Sequence, residues 1–202
     1  MNVEKQQELI QENFHEIVEE IYSNRNNDSF YHKGVFNTKD LPDHKNYAYS
    51  PNLDPQFGRN VFSSLDKINS NHCLYWFELA TPSEAEQLND LINLYRLKKG
   101  EDNYRVVPAS NKNTNSRILY LGVRRGGYTK SRKLTNITGR MCQHLGYYEK
   151  GTTQGLQLYE YAKGKDFEVT LKVIEFENLE AYALNVIEKL LVKKMKPLSG
   201  RH

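Results

Sequence analysis

Cysteine is close to absent. Cys73 and Cys142 are the only two among 202 residues, too few for a disulfide framework, and their spacing matches no zinc-ligand pattern. They read as two ordinary buried thiols in a reducing compartment. Long apolar runs are missing too, so nothing in the chain reads as a transmembrane helix. The opening "MNVEKQQELIQENFHEIVEEIYSN" has neither the basic n-region nor the apolar h-region of a secretory signal. A soluble, cytoplasmic protein is expected, with no membrane partner. No internal repeat or low-complexity tract is present.

The most informative deficit is one of acid. Between Asn103 and Tyr148 there is not one Asp or Glu, where the chain's average acidic content would place about six. The same stretch holds Arg105, Lys112, Arg117, Arg124, Arg125, Lys130, Arg132, Lys133 and Arg140. The net charge of +3 therefore hides a segregation, with base in the middle and acid toward the two ends. "RRGGYTKSRK" (124–133) adds flexible glycines, an aromatic and hydroxyls to its cations, a composition suited to phosphate contact. Arg124, Arg125, Lys130, Arg132 and Lys133 are the candidate nucleic-acid-binding residues.

What is present reads as α+β. Residues 3–23 space their apolar side chains as one amphipathic helix. From 24 to 70 the chain is polar and aromatic, an ordered loop region with short elements. "HCLYWFELA" (72–80) is too apolar for a loop and reads as a buried strand. A helix over 83–97 opens with a capping box from Ser83 to Glu86 and closes at Gly100. "NYRVVPA" (103–109) suggests a short strand and "RILYLGV" (117–123) a firm one. The spacing of Leu134, Ile137, Met141 and Leu145 predicts a helix over 135–146 ending at Gly146. "LQLYEYA" and "FEVTLKVIEF" read as two strands joined by "KGKD". A last helix, "ALNVIEKLLVKKM" (183–195), is stopped by Pro197.

Glu188 is out of place in that last helix. Its neighbours three and four positions away are Leu184, Asn185, Leu191 and Val192, none of them basic, so the usual surface ion pair has no partner. It falls within or beside the apolar arc, while Lys189, Lys193 and Lys196 gather elsewhere. A carboxylate so placed must be paired, hydrogen-bonded, protonated or bound to a metal. In the helix over 135–146, Arg140 and His144 stand one turn apart. Read alone they make a surface arginine and a structural histidine, although a guanidinium can grip phosphate with two N–H groups and an imidazole can relay a proton.

Taken in order, these pieces resemble the GIY-YIG nuclease superfamily. "CLY" (73–75) stands for its first signature triplet and "YLG" (120–122) for its second. "RMCQH" (140–144) matches its helical Arg and His, and Glu188 followed by "KPLSG" (196–200) its metal-binding helix and terminal segment. The likeness covers 72–202. It departs from the pattern in the "CLY" triplet, in a long gap between Tyr75 and Tyr120 that contains an extra helix, and in Gly200, which stands where Asn is common.

The resemblance implies a three-stranded antiparallel sheet flanked by helices over 71–202, with 1–70 as a helical and loop extension that serves sequence reading or homodimerisation. It also implies hydrolysis of phosphodiester bonds in double-stranded DNA with one Mg²⁺ or Mn²⁺ ion. Glu188 is then the metal ligand and a catalytic residue. Arg140 holds a non-bridging phosphate oxygen, His144 passes a proton on, and Tyr75 or Tyr120 orients and deprotonates the water, with Tyr75 favoured by analogy. Restriction, defence and repair are the expected settings. A catalytically inactive nucleic-acid-binding module of the same fold and a protein-interaction domain stay open as alternatives.

Overall fold

The structure is a computed structural model that describes residues 3–43, 57, 61–62, 64–126, 136–148 and 152–200. Its framework is the strand β2 (His72–Leu79). Every residue of β2 after His72 is buried, which requires apolar side chains of both parities, and "CLYWF" supplies them. Cys73, Tyr75, Phe77 and Leu79 enter one core and Leu74 and Trp76 the other. A strand with both faces covered must lie inside a sheet. β2 pairs antiparallel with β3 (Ile118–Arg124) on one side and β4 (Glu168–Phe176) on the other.

The sheet has a fourth strand that the three-strand expectation did not include. β1 (His32–Asn37), from the segment read as loop, pairs antiparallel with β4 over six residues, giving the order β1-β4-β2-β3. The architecture is thus α+β, an antiparallel sheet between two helical layers. On the Tyr75 face pack α2 (Pro82–Arg96), α3 (Ile137–Leu145) and the short α4 (Leu158–Ala162). On the Trp76 face lie α1 (Val3–Ser23) and α5 (Ala181–Met195). No helix among the described residues is long and apolar enough to cross a membrane.

Several local expectations need correction. "LQLYEYA" is not a strand: Gln157 takes φ 58°, and the chain then turns into α4 with Leu158 and Ala162 buried four residues apart. The α2 capping box is Thr81 with Glu84, two residues earlier than read, because Pro82 fits the first helical position. Residues 103–109 form no strand. They are irregular backbone that runs on to a single bridge between Ser110 and Ser199. The thiols of Cys73 and Cys142 are free and buried, as expected.

Beyond α5, Lys196 takes φ 50° and the chain reverses at Pro197. Leu198 and Ser199 then donate their amides to the carbonyls of Ile118 and Leu119, and Gly200 donates to Ala109. The side chains of Asn111 and Asn113 both donate to the Pro197 carbonyl. "KPLSG" is therefore stitched along the outer edge of β3. Gly200 takes φ 150°, where an L side chain is strained, so the glycine answers a backbone need at that position.

Behind β2, Glu78 accepts from Lys172 at 2.9 Å, Arg117 at 3.0 Å and the Trp76 indole at 3.3 Å. The side chains of Glu78 and Lys172 are only 7% and 8% exposed. Removing one partner of so buried a pair strands the other charge. Glu78→Ala is expected to lower stability by about 3 kcal/mol in urea unfolding; a loss below about 1 kcal/mol would show that Lys172 finds water instead.

A buried tyrosine, arginine and histidine cluster beside an unpaired carboxylate

Tyr75 and Tyr120 share the sheet face that α3 covers. In register, Tyr75 faces Gly122 and Tyr120 faces Phe77. Their rings stack 6.1 Å apart, 23° from parallel. Gly122 makes this possible: a Cβ there would sit 2.8 Å from both the Tyr75 oxygen and a Tyr120 ring carbon. The glycine in "YLG" leaves room for both phenols.

α3 brings the cations. Asn136 caps its N-terminus by accepting from the Gly139 amide, and Gly146, at φ 96°, ends it. Arg140 and His144, one turn apart, both point at the sheet. Arg140 Nε donates to the Tyr75 oxygen at 3.0 Å and Nη2 to the Tyr120 oxygen at 3.4 Å. Its Nη1 donates to Gln143 Oε1 at 2.8 Å and to the Gln154 carbonyl at 2.6 Å. A guanidinium has five N–H groups, so one Nη2 hydrogen remains. Only that single N–H is left for the phosphate oxygen that the resemblance assigns to Arg140. Burial works against the arginine's charge, but the two tyrosine oxygens outweigh it and hold Arg140 firmly protonated.

His144 is fully buried. Its Nε2 lies 3.0 Å from the Tyr75 oxygen, and its Nδ1 accepts the Leu156 amide at 3.1 Å. Burial, and then the Arg140 charge, push its pKa well below the ordinary histidine range. Tyr75, 1% exposed, is pushed far above the usual phenol value by burial, with Arg140 pulling the other way. Tyr120 is half-buried.

Glu188 comes from the opposite layer. The buried arc of α5 runs through Leu184, Ile187 and Leu191, while Tyr182 and Val186, apolar residues at helical spacing with that arc, are 69% and 37% exposed. Glu188 sits at the margin of that arc, half-buried, and α5 packs against β2 and against β3, an edge strand of the sheet. Its carboxylate is near enough to Arg140 for the guanidinium to favour its charge, and near enough to Tyr75 to raise the phenol. Burial raises its own pKa, against the pull of Lys189 and Arg140. Among the described residues it has no hydrogen-bonded or ion-paired partner.

Tyr75, Tyr120, Arg140 and His144 thus meet, and Glu188 lies within electrostatic reach of Arg140 and Tyr75. No group of three or more His, Cys, Asp and Glu among the described residues could hold a metal ion. A cation here would have Glu188 as its lone protein carboxylate, which fits Mg²⁺, an ion that keeps most of its shell as water and phosphate.

The basic stretch divides. Arg105 is 3% exposed and serves the interior, whereas Arg117, its side chain 48% exposed, is tied to the buried Glu78. Arg124 is half-buried at the end of β3 and Arg125 is exposed. Lys130, Arg132 and Lys133 lie outside the described residues. Gly126, read as flexible, is held: its amide donates to His72 Nδ1 at 2.9 Å, and a Cβ would fall 2.1 Å from the Ser70 carbonyl oxygen. Sequence reading missed Gln143, which shares a helical face with Arg140, and the main-chain groups of Gln154 and Leu156, which no residue type announces.

No family model matches the chain, and neither does any curated protein or solved structure.

The half-buried carboxylate has a stability consequence whose sign is fixed. Its raised pKa means that the folded state disfavours the charge, so the penalty is absent below the ordinary carboxylate pKa and is fully present above the raised one. Glu188→Gln is therefore expected to melt higher than wild type at neutral pH, with the gain vanishing in acid. Equal melting temperatures at both pH values would show a carboxylate that is in fact compensated.

Proposed function

We propose that the chain is a divalent-metal-dependent endonuclease that hydrolyses phosphodiester bonds in double-stranded DNA, acting in restriction, defence or repair. The observation that supports it is the meeting of two phenols, one guanidinium and one imidazole from β2, β3 and α3, with one unpaired carboxylate of α5 within electrostatic reach of them. Sequence-distant polar groups are seldom gathered in a core without a chemical use, because a satisfied apolar core is easier to build.

Tyr75 is the base in this reading. Its oxygen receives N–H bonds from Arg140 and His144, which stabilise the phenolate, and the attacking water would bond to that same oxygen. The water oxygen bonds to phosphorus while its proton passes to Tyr75. The bond to the 3′ oxygen then breaks, and its electron pair stays with that oxygen. Arg140 offers its remaining N–H and its charge to a non-bridging oxygen, and Tyr120 orients the water from the half-buried side. Glu188 would hold Mg²⁺ or Mn²⁺, and when bound the ion supplies charge that offsets the developing negative charge of the leaving oxygen. Arg125, and Arg124 beside it, are placed in contact with the DNA backbone.

A catalytically inactive nucleic-acid-binding module is the second reading. It is favoured by Arg140, which has four of its five N–H groups committed within the protein.

Nicking of supercoiled plasmid separates the two. Wild type is expected to nick with Mg²⁺ and not without it, and Glu188→Ala to lose about 10²–10³ of the rate. Because Tyr75 rests as a phenol, the rate should climb through the neutral range by up to roughly tenfold per pH unit. Activity that survives the substitution removes Glu188 from the mechanism. No cleavage with salt-sensitive DNA retention supports the binding module, and neither activity supports a protein-interaction domain.

A further inference from the structure

His144 has no room to carry a proton, and the reason lies in the main chain. The Leu156 amide points at its Nδ1 from 3.1 Å. An amide N–H can only donate, so Nδ1 must be bare. A neutral imidazole with a bare Nδ1 carries its hydrogen on Nε2, and that hydrogen faces the Tyr75 oxygen 3.0 Å away. A second proton on the ring would have to enter at Nδ1, head-on against the Leu156 N–H. The surroundings of the ring also disfavour it, by excluding water and by the charge of Arg140. Tyr75, Phe77 and Tyr120 surround it, and the charged neighbour is the Arg140 cation, with Glu188 acting on Arg140 and Tyr75.

The segment that presents Leu156 is itself fixed. A Cβ at Gly155 would fall 2.6 Å from the Gln143 carbonyl oxygen, so glycine lets the segment lie on α3. The Gly155 amide donates to Val106 at 3.2 Å. Arg105 clamps the far side by donating to Gln157 Oε1 at 2.9 Å and to the Tyr148 carbonyl, with Glu160 3.8 Å away. The buried arginine of the acid-free stretch thus holds the backbone that sets an imidazole.

We propose that His144 is a fixed hydrogen-bond donor to Tyr75 throughout the reaction, its tautomer set by the Leu156 amide and the Arg105-clamped segment 154–157, and that it does not relay the phenol's proton. The proposal rests on the nuclease reading and revises its proton path. With His144 unable to accept it, the proton that Tyr75 takes from water passes to solvent or to a phosphate oxygen instead. His144 is a positioning residue, since it acts through Tyr75.

Two readouts on the full chain test this. Long-range ¹H–¹⁵N spectra of wild type should show His144 as a single Nε2–H tautomer that does not titrate between about pH 5.5 and about pH 8.5. A ring protonated at Nδ1, or one that titrates in that range, overturns the proposal. In plasmid nicking, His144→Gln keeps a side-chain N–H for Tyr75 and should stay within about tenfold of wild type, whereas His144→Ala falls by about 10²-fold or more. Equal loss in the two variants means a relay and overturns the proposal as well. A wild type that shows the expected tautomer but never nicks DNA would defeat the nuclease reading and leave the donor assignment standing.

Discussion

The oxygen of Tyr75 is where the parts of this molecule are obliged to agree. It is buried, and it accepts one N–H from a guanidinium and one from an imidazole. Each donor must arrive at hydrogen-bond distance in a site where a missed bond costs about 1–3 kcal/mol. That demand fixes α3 over the sheet and holds Gly122 to glycine. It also recruits the backbone of 154–156, which satisfies the other sides of Arg140 and His144. Because both donors are pinned from behind, their geometry is set in advance, and the proposed hydrolysis would draw on that preorganisation.

Glu188 approaches that cluster from the layer on the other side of the sheet. β2 is buried on both faces, so the sheet separates two cores, and a carboxylate on α5 comes within electrostatic reach of Tyr75 beside β3, an edge strand. The stitched terminal segment 198–200 fixes the start of β3 and, through Pro197, the end of α5. The elements around the acid are therefore rigid while the acid itself is left unpaired. An uncompensated, half-buried charge is a stability liability, and retention of such a liability is typical of sites shaped for a ligand.

Much of this was legible from residue spacing, because spacing controls which side chains share a helical or strand face. The isolated acid at 188, the one-turn pair Arg140 and His144, and the strands carrying Tyr75 and Tyr120 are all local patterns. What stayed hidden depends on contacts between distant segments. β1 forms from a polar stretch because β4 offers it an edge. "LQLYEYA" alternates like a strand, yet it coils into α4 once Gln157 adopts a left-handed turn held by Arg105. Arg105 and Arg117 counted as surface base by composition, and only the fold reveals Glu160 and Glu78 beside them. Gly126 looks flexible in a basic loop, yet a close approach to residues 70–71 requires it. Main-chain donors such as the Leu156 amide are the extreme case, since every residue but proline has one.

If the phenols, the guanidinium and the acid form one metal-dependent centre, a paramagnetic ion must report all of them together. The direct measurement is an Mn²⁺ titration of protein labelled with ¹³C at the tyrosine rings, in the presence of a duplex made resistant to cleavage by phosphorothioate linkages. The account predicts that Tyr75 and Tyr120 broaden first among the fourteen tyrosines, and that Glu188→Gln abolishes the effect. Broadening that falls elsewhere, or that persists undiminished in the variant, would contradict it.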